Sequence, residues 1–260
     1  DCVFSDNRAD DGGALLDEES VNMLIKGSTF EGNEAFGSSV YAWDTENVAI
    51  CQSEFSGDSD PDLDGCVVYG GDGIQFTARD NTFTSESGRA LYLFQYEGMD
   101  ISDNEFSHLS PNDAEGGAMY LQAGSLSGSW GDNFVLLRNN IFENCDAGKS
   151  GGAIYLTKLN PGSENPGPVV SLIADNTFLN TVSGQGEGHA LKTSAVFDSL
   201  VLRDNTFAND QEDVTSAYVF LDDNLMDDAT YQNCGNSFVV GDDEIECTGI
   251  FKEYGEECIV

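Results

Sequence analysis

A phenylalanine recurs along this chain in near-identical surroundings. It stands at nine positions, 23 to 36 residues apart: Phe4, Phe30, Phe55, Phe83, Phe106, Phe142, Phe178, Phe207 and Phe238. Two residues earlier the last six copies carry an asparagine and the first three a cysteine or serine: Asn81, Asn104, Asn140, Asn176, Asn205, Asn236, then Cys2, Ser28, Ser53. Because a repeat this short cannot bury an apolar face alone, its copies must stack on one another.

Each repeat contains strand patterns and no helical periodicity. The positions five and seven before the phenylalanine are mostly apolar, as at Val135 and Leu137, and this period of two is typical of a strand. A second apolar segment follows a polar, glycine-rich stretch, as in Gly152-Ala153-Ile154-Tyr155-Leu156. The sequence therefore predicts an all-β, single-stranded right-handed parallel β-helix of about nine coils, with the hand preferred by parallel crossovers.

Within this solenoid the repeated residues have predicted places. The phenylalanines form an internal stack and the asparagines a ladder at one bend, so we expect Asn140→Ala to destabilise more than Asn209→Ala. The coils span residues 1–233, and residues 234–260 form the last coil with a cysteine-containing C-terminal cap. The longest insertions, residues 124–133 and 160–168, are predicted to fall at one bend.

A leucine-rich repeat is the rival architecture. The segment Phe197-x-x-Leu200-x-Leu202-x-x-Asn205-x-Phe207 matches its strand and asparagine positions, but only that copy fits well. A leucine-rich repeat would also place a helix or compact turn where this chain has its second strand pattern.

Two short motifs carry a resemblance to a known family. Phe4-Ser5-Asp6-Asn7 is followed by Gly12-Gly13-Ala14-Leu15, Phe30-Glu31-Gly32-Asn33 repeats the first motif, and Gly151-Gly152-Ala153-Ile154 repeats the second. These resemble the FxxN and GGA(I/L/V) repeats of the chlamydial polymorphic outer membrane proteins, adhesins whose passenger repeats are of the pectate-lyase-like right-handed β-helix type. The resemblance implies a β-helix fold and an adhesive role at a cell surface. Later copies replace the FxxN asparagine, for example with Leu109 or Cys145.

The charge of the chain excludes several classes of partner. Ten Lys and Arg against 47 Asp and Glu give a net charge of −37 over 260 residues. Such a surface repels phosphate backbones and anionic lipids, which argues against nucleic-acid binding and membrane binding. No apolar stretch approaches the roughly 18 residues of a membrane-spanning helix. The expected partners are other copies or further segments of an extracellular assembly, and glycans.

The cysteines indicate an oxidising, extracellular or cell-surface setting. The seven cysteines lack paired CxxC spacing, and Cys234, Cys247 and Cys258 crowd the C-terminal end as disulfides often do. The odd number leaves one unpaired, and Cys145 is our candidate for a buried thiol. Since the first copy of the repeat begins at the first residue, we expect the chain to continue upstream or to stack on a neighbour.

An acidic loop is the candidate metal site. Asp60, Asp62 and Asp64 alternate before Gly65, and alternate carboxylates on a tight loop converge as a hard Ca²⁺ requires. Asp72 is a possible fourth ligand. The alternative is a solvated acidic loop clamped by Cys51 and Cys66.

A second acidic pattern lies three residues before the phenylalanines, at Asp80, Asp103, Asn139, Asp175 and Asp204. The residue just before is often basic: Lys26, Arg79, Arg138, Arg203. Stacked carboxylates repel, so we expect lateral ion pairs with these bases. A cation or ligand groove is the alternative.

Catalysis has little support in the sequence. Polysaccharide lyases and hydrolases share this fold class, yet the chain has only His108 and His189 and no Arg-x-Lys pair. No catalytic residue and no organic cofactor is predicted. The preferred function is a non-enzymatic extracellular structural or adhesive module stabilised by divalent cations. The alternative is a polysaccharide-binding or polysaccharide-degrading β-helix protein.

Overall fold

Each complete coil contributes one strand to each of three parallel sheets. The computed structural model describes residues 1–9, 12–35, 38–57, 66–124, 133–158, 169–185, 188–194, 199–210, 218–221, 230–240 and 243–244. Every helix or strand assigned within these ranges is a strand. Strands of successive coils pair in parallel, so the predicted parallel β-helix is confirmed and the helix-containing leucine-rich repeat is rejected.

The three sheets are named here by their residues. The phenylalanine sheet has nine parallel strands, Val3–Ser5, Thr29–Glu31, Glu54–Ser56, Thr82–Thr84, Glu105–Ser107, Ile141–Glu143, Thr177–Leu179, Thr206–Asn209 and Ser237–Val240, closed by antiparallel Asp243–Glu244. The tyrosine sheet contains Leu15–Glu18, Ser38–Trp43, Cys66–Gly71, Arg89–Tyr96, Met119–Ala123, Ile154–Lys158, Leu191–Thr193 and Val219–Leu221. The aliphatic sheet contains Asn22–Lys26, Asn47–Cys51, Gln75–Arg79, Gly98–Ser102, Asn133–Arg138, Val169–Ala174, Ser199–Arg203 and Thr230–Cys234. Two smaller pairs join Arg8–Ala9 to Glu34–Ala35 and Asp146–Ala147 to Val182–Ser183.

The phenylalanines form one continuous internal stack. Each of the first eight pairs in register with the phenylalanine of the next coil, which confirms nine coils. Neighbouring rings are nearly parallel, with centroids 4.6 to 5.1 Å apart. From Phe30 to Phe238 the exposed fraction of these residues is at most 2%. The stack follows from register, since parallel in-register strands place identical side chains one coil spacing apart.

The asparagine ladder is also confirmed. The backbone N–H and Nδ2 of Asn104 both donate to Oδ1 of Asn140, and Asn140 donates in the same way to Asn176. A further bond from Nδ2 reaches a backbone carbonyl of the preceding coil, as from Asn140 to Ile101. Ser28 and Ser53 continue the ladder, because their hydroxyl oxygens accept from the backbone N–H of Cys2 and of Ser28. The Ser53 N–H in turn donates to Asn81 Oδ1. The ladder satisfies the backbone of this bend, which always has two residues between its strands.

The backbone conformation explains why aspartate or asparagine stands beside this ladder in five successive coils. Asp80, Asp103, Asn139, Asp175 and Asp204 all lie in the left-handed region, with φ between 54° and 59°. Aspartate and asparagine tolerate this conformation better than most residues. The expected ion pairs are mostly wrong, because Arg79 and Arg138 instead contact Asp100, whereas Arg203 does reach Asp204 at 3.4 Å.

The GGA motifs serve turn geometry and close packing. Gly151 has φ of +67°, and a Cβ at Gly152 would lie 1.9 Å from the carbonyl oxygen of His189 on the next coil. The first glycine thus permits the turn, and the second allows coils to approach.

Two expectations about loops and asparagines are revised. The two longest insertions lie almost wholly outside the described residues, and each is flanked by a tyrosine strand and an aliphatic strand. The connection from phenylalanine to tyrosine strands also varies in length. Asn209 is buried and its Nδ2 lies 3.5 Å from the carbonyl of Thr181, so its substitution is not the harmless comparison we expected.

Candidate functional site

Of the four predicted metal ligands, one lies within the described residues and three lie outside them. Asp60, Asp62 and Asp64 lie outside the described residues. Asp72 follows the tyrosine strand Cys66–Gly71 in the left-handed region, with φ of 53°. Its backbone N–H donates to the carbonyl of Phe94 on the next coil at 3.0 Å. Burial and the neighbouring Asp44 carboxylate raise the pKa of Asp72.

Tyr96 lies close to Asp72 on the inside of the solenoid, and sequence reasoning missed it. Its ring is fully buried, and a Cβ at Gly70 would lie 2.9 Å from the Tyr96 hydroxyl. A Cβ at Gly73 would lie 2.1 Å from the ring. Burial, followed by the charges of Asp72 and Asp17, raises the pKa of Tyr96. Gly70 and Gly73, which leave space for its ring, were the available sequence signal.

Gln95 and Asp17 complete this polar region. Gln95, at the irregularity between Phe94 and Tyr96, has φ of 60° and is 6% exposed. Asp17 occupies the strand position that pairs with inward Ala42, and its carboxylate accepts from Thr45 Oγ1 at 3.0 Å and Ser20 Oγ at 2.6 Å. Asp72 Oδ1, Gln95 Oε1 and Tyr96 Oη are buried without a hydrogen-bond partner among the described residues. We call these three oxygens the bend oxygens.

An aromatic ladder lines the outer face of the tyrosine sheet. Five tyrosines stack on successive coils with centroids 4.6 to 5.4 Å apart: Tyr41, Tyr69, Tyr92, Tyr120 and Tyr155. Buried Arg89 lies over Tyr92 and Tyr120, and Lys192 lies 5.9 Å from the Tyr155 ring centre. Because the ring faces cover one another, the ladder presents ring edges rather than open faces. Burial raises the pKa of Tyr69 and Tyr120.

The histidines and cysteines do not form a shared centre in the part of the chain that the structure describes. The Nδ1 of His189 accepts from the Ser183 N–H at 3.1 Å, and burial lowers the pKa of His189. Cys145 is a free buried thiol, as predicted, and burial raises its pKa to about 12. Cys51 and Cys66 are not joined by a disulfide and belong to different sheets, so the predicted clamp is wrong.

The described residues contain neither a metal-binding cluster nor a membrane-spanning helix. They contain no group of three or more His, Cys, Asp or Glu placed to hold a metal ion. They also contain no helix that is long and apolar enough to cross a membrane.

Comparison with known proteins agrees with the fold. Residues 1–106 match the family described as "Right handed beta helix region". No curated protein and no solved structure matches the chain. The comparison therefore supports the architecture and its hand, and it leaves the chemistry to be argued from the residues.

Proposed function

We propose that this protein is a non-enzymatic structural or adhesive module of an extracellular or cell-surface assembly. The observation that supports this is the continuous in-register stack of nine strands in the phenylalanine sheet. Phenylalanine rings stack along the inside, and asparagine amides bond along one bend of the same coils. A stack that satisfies its backbone in every coil makes a stiff spacer suited to a stalk or filament.

The outer surface supports repeated, multivalent contact. The tyrosine ladder sets similar phenol edges at one coil spacing along five coils. Repetition of one weak contact raises the apparent affinity for an equally repetitive partner. Other copies, further segments of the assembly and glycans are the partners of this kind that we propose.

Divalent cations belong to the same proposal. The carboxylates that give the chain its net charge of −37 repel one another. Bound Ca²⁺ would reduce that repulsion and would be coordinated by their oxygens. Asp60, Asp62 and Asp64 remain the proposed first ligands, with Asp72 as a fourth. The half-buried Asp72 carboxylate, with its raised pKa, is a group that a cation would stabilise.

The direct test distinguishes a rod with adhesive surfaces from a polysaccharide-degrading enzyme. Purified protein is incubated with a panel of neutral and anionic polysaccharides, and unsaturated and reducing ends are measured. Small-angle scattering and sedimentation report particle length and self-association. We expect an elongated particle, retention on repetitive surfaces or on immobilised copies, and no turnover. Sustained release of sugar ends would favour the polysaccharide-degrading alternative and refute the proposal.

A further inference from the structure

Three buried oxygens lack partners at one bend. These bend oxygens, Asp72 Oδ1, Gln95 Oε1 and Tyr96 Oη, come from two successive coils. A buried oxygen without a hydrogen bond costs about 1 to 3 kcal/mol, and native proteins contain few. Three of them on residues that neighbour one another at one bend therefore point to a ligand that contacts them together.

The backbone brings the bend oxygens to one locality. Gly71 pairs with Phe94, and the Asp72 N–H donates to the Phe94 carbonyl, so Asp72 and Gln95 follow paired residues on neighbouring coils. Neighbouring coils are about 4.8 Å apart. The Tyr96 hydroxyl lies against Gly70, two residues before Asp72. Of the charges that raise the pKa of Tyr96, Asp72 has the largest effect.

The chemistry of the locality favours a cation. A carboxylate and an amide oxygen accept and cannot donate, and a phenol oxygen has a free lone pair. The charge of Asp44 raises the pKa of Asp72, and the charge of Asp17 raises the pKa of Tyr96. Two further carboxylates therefore make the surroundings negative. Hard cations coordinate carboxylate, amide and other neutral oxygens in this way.

We propose that the bend oxygens bind a single hard cation, Ca²⁺ or Na⁺, between the third and fourth coils, with Asp44 and Asp17 adding negative charge around it. Asp72 Oδ1 is the charged ligand, and Gln95 Oε1 and Tyr96 Oη are neutral ligands. Gly70 and Gly73 leave the room that Tyr96 needs, since a side chain at either would meet its ring or hydroxyl. The site uses none of Asp60, Asp62 and Asp64, although Asp72 is also the fourth ligand proposed for that loop. It stands whether or not the protein is an adhesive module.

The first experiment identifies the ion. Protein treated with EDTA is melted at equal ionic strength in tetramethylammonium chloride, in NaCl, and in tetramethylammonium chloride with increasing CaCl₂. Tetramethylammonium screens charge but is too large to be coordinated by these oxygens. We expect a saturable rise in Tm with Na⁺ or Ca²⁺, growing with the logarithm of its concentration above Kd. Melting that is equal in all three solutions would overturn the proposal.

The second experiment assigns the ion to the bend oxygens. Tyr96→Phe and Gln95→Leu each remove one oxygen, and we expect each to weaken binding of the stabilising ion about tenfold or more. In tetramethylammonium chloride both variants should melt at or above the wild-type temperature, because an unpaired buried oxygen has gone. Far-UV circular dichroism checks that they fold.

Two control variants separate this site from others. Tyr69→Phe removes a phenol oxygen on the outer ladder, and Asp62→Asn removes a carboxylate of the acidic loop. Both should keep the ion affinity of the bend oxygens. If Tyr96→Phe and Gln95→Leu bind like the wild type while Asp62→Asn loses binding, the ion belongs to the acidic loop and the inference is wrong.

Discussion

Asn104 donates two hydrogen bonds, from its backbone N–H and its Nδ2, to the single Oδ1 of Asn140 on the next coil, at 3.1 and 3.0 Å. Asn140 repeats the arrangement with Asn176. The side chain at one coil thus satisfies the backbone of another, and the bend is stabilised cooperatively along the solenoid.

Asn140→Ala should therefore destabilise the protein by about 3 kcal/mol. The Asn104 N–H and the Ile101 carbonyl lose their bonds to the Asn140 side chain, and Asn104 Nδ2 loses one of its three acceptors. The exposed Asn22 provides the control, and Asn22→Ala should stay within about 0.5 kcal/mol. Urea unfolding followed by circular dichroism measures both. Similar midpoints for the two variants would show that the ladder contributes little.

Gly152→Ala should be among the most destabilising single changes. Its Cβ would lie 1.9 Å from the His189 carbonyl oxygen and 2.5 Å from that of Val182, so neighbouring coils would have to separate. We expect a loss of about 3 kcal/mol or more. Gly57→Ala is the control, because there φ is +70° but the nearest atom would be 3.8 Å away, which isolates backbone strain of about 1 to 2 kcal/mol.

His189 should make stability fall in mild acid. Burial lowers its folded pKa below the ordinary 6.5, so the unfolded chain binds a proton more tightly than the folded protein. The stability is intact above pH 6.5 and decreases as pH falls from there towards the folded pKa. Protonation also removes the acceptor for the Ser183 N–H. His189→Gln should flatten the Tm curve in this range, whereas His108→Gln should keep its shape.

Asp100 joins two coils through charge. It contacts Arg79 of the preceding coil and lies 3.3 Å from Arg138 of the following one, with its side chain 12% exposed. Asp100→Asn should destabilise by about 1 kcal/mol at low salt, because two arginines lose their partner. The difference from wild type should shrink in 1 M salt, where the Debye length is about 3 Å. A salt-independent difference would indicate lost packing instead.

The acidic loop should bind Ca²⁺ through Asp60, Asp62 and Asp64. At fixed ionic strength we expect Ca²⁺ to raise Tm saturably and Asp62→Asn to weaken the part of that rise assigned to the loop. Mg²⁺ and EDTA serve as the comparison solutions. If Ca²⁺ and Mg²⁺ act alike and Asp62→Asn changes nothing, the loop is only a solvated acidic surface.

The repeat made much of the fold predictable. The spacing of Phe83 and Phe106, with Asn81 and Asn104 two residues before them, already implied the ring stack and the amide ladder, since in-register stacking repeats each residue's surroundings. The buried thiol of Cys145 was predicted as well. The absence of a disulfide between Cys51 and Cys66 and the salt bridges of Asp100 were not.

The sequence by itself determined which residues repeat and therefore which stack, because register acts identically on every coil. Only the tertiary structure decided the contacts that differ from coil to coil. Tyr96 enters the core because Gly70 and Gly73 of the preceding coil leave space there. Arg79 and Arg138 contact Asp100 and not the acidic residues beside the asparagine ladder. Such contacts depend on the volume and charge left by residues 20 to 40 positions away, which no local periodicity encodes.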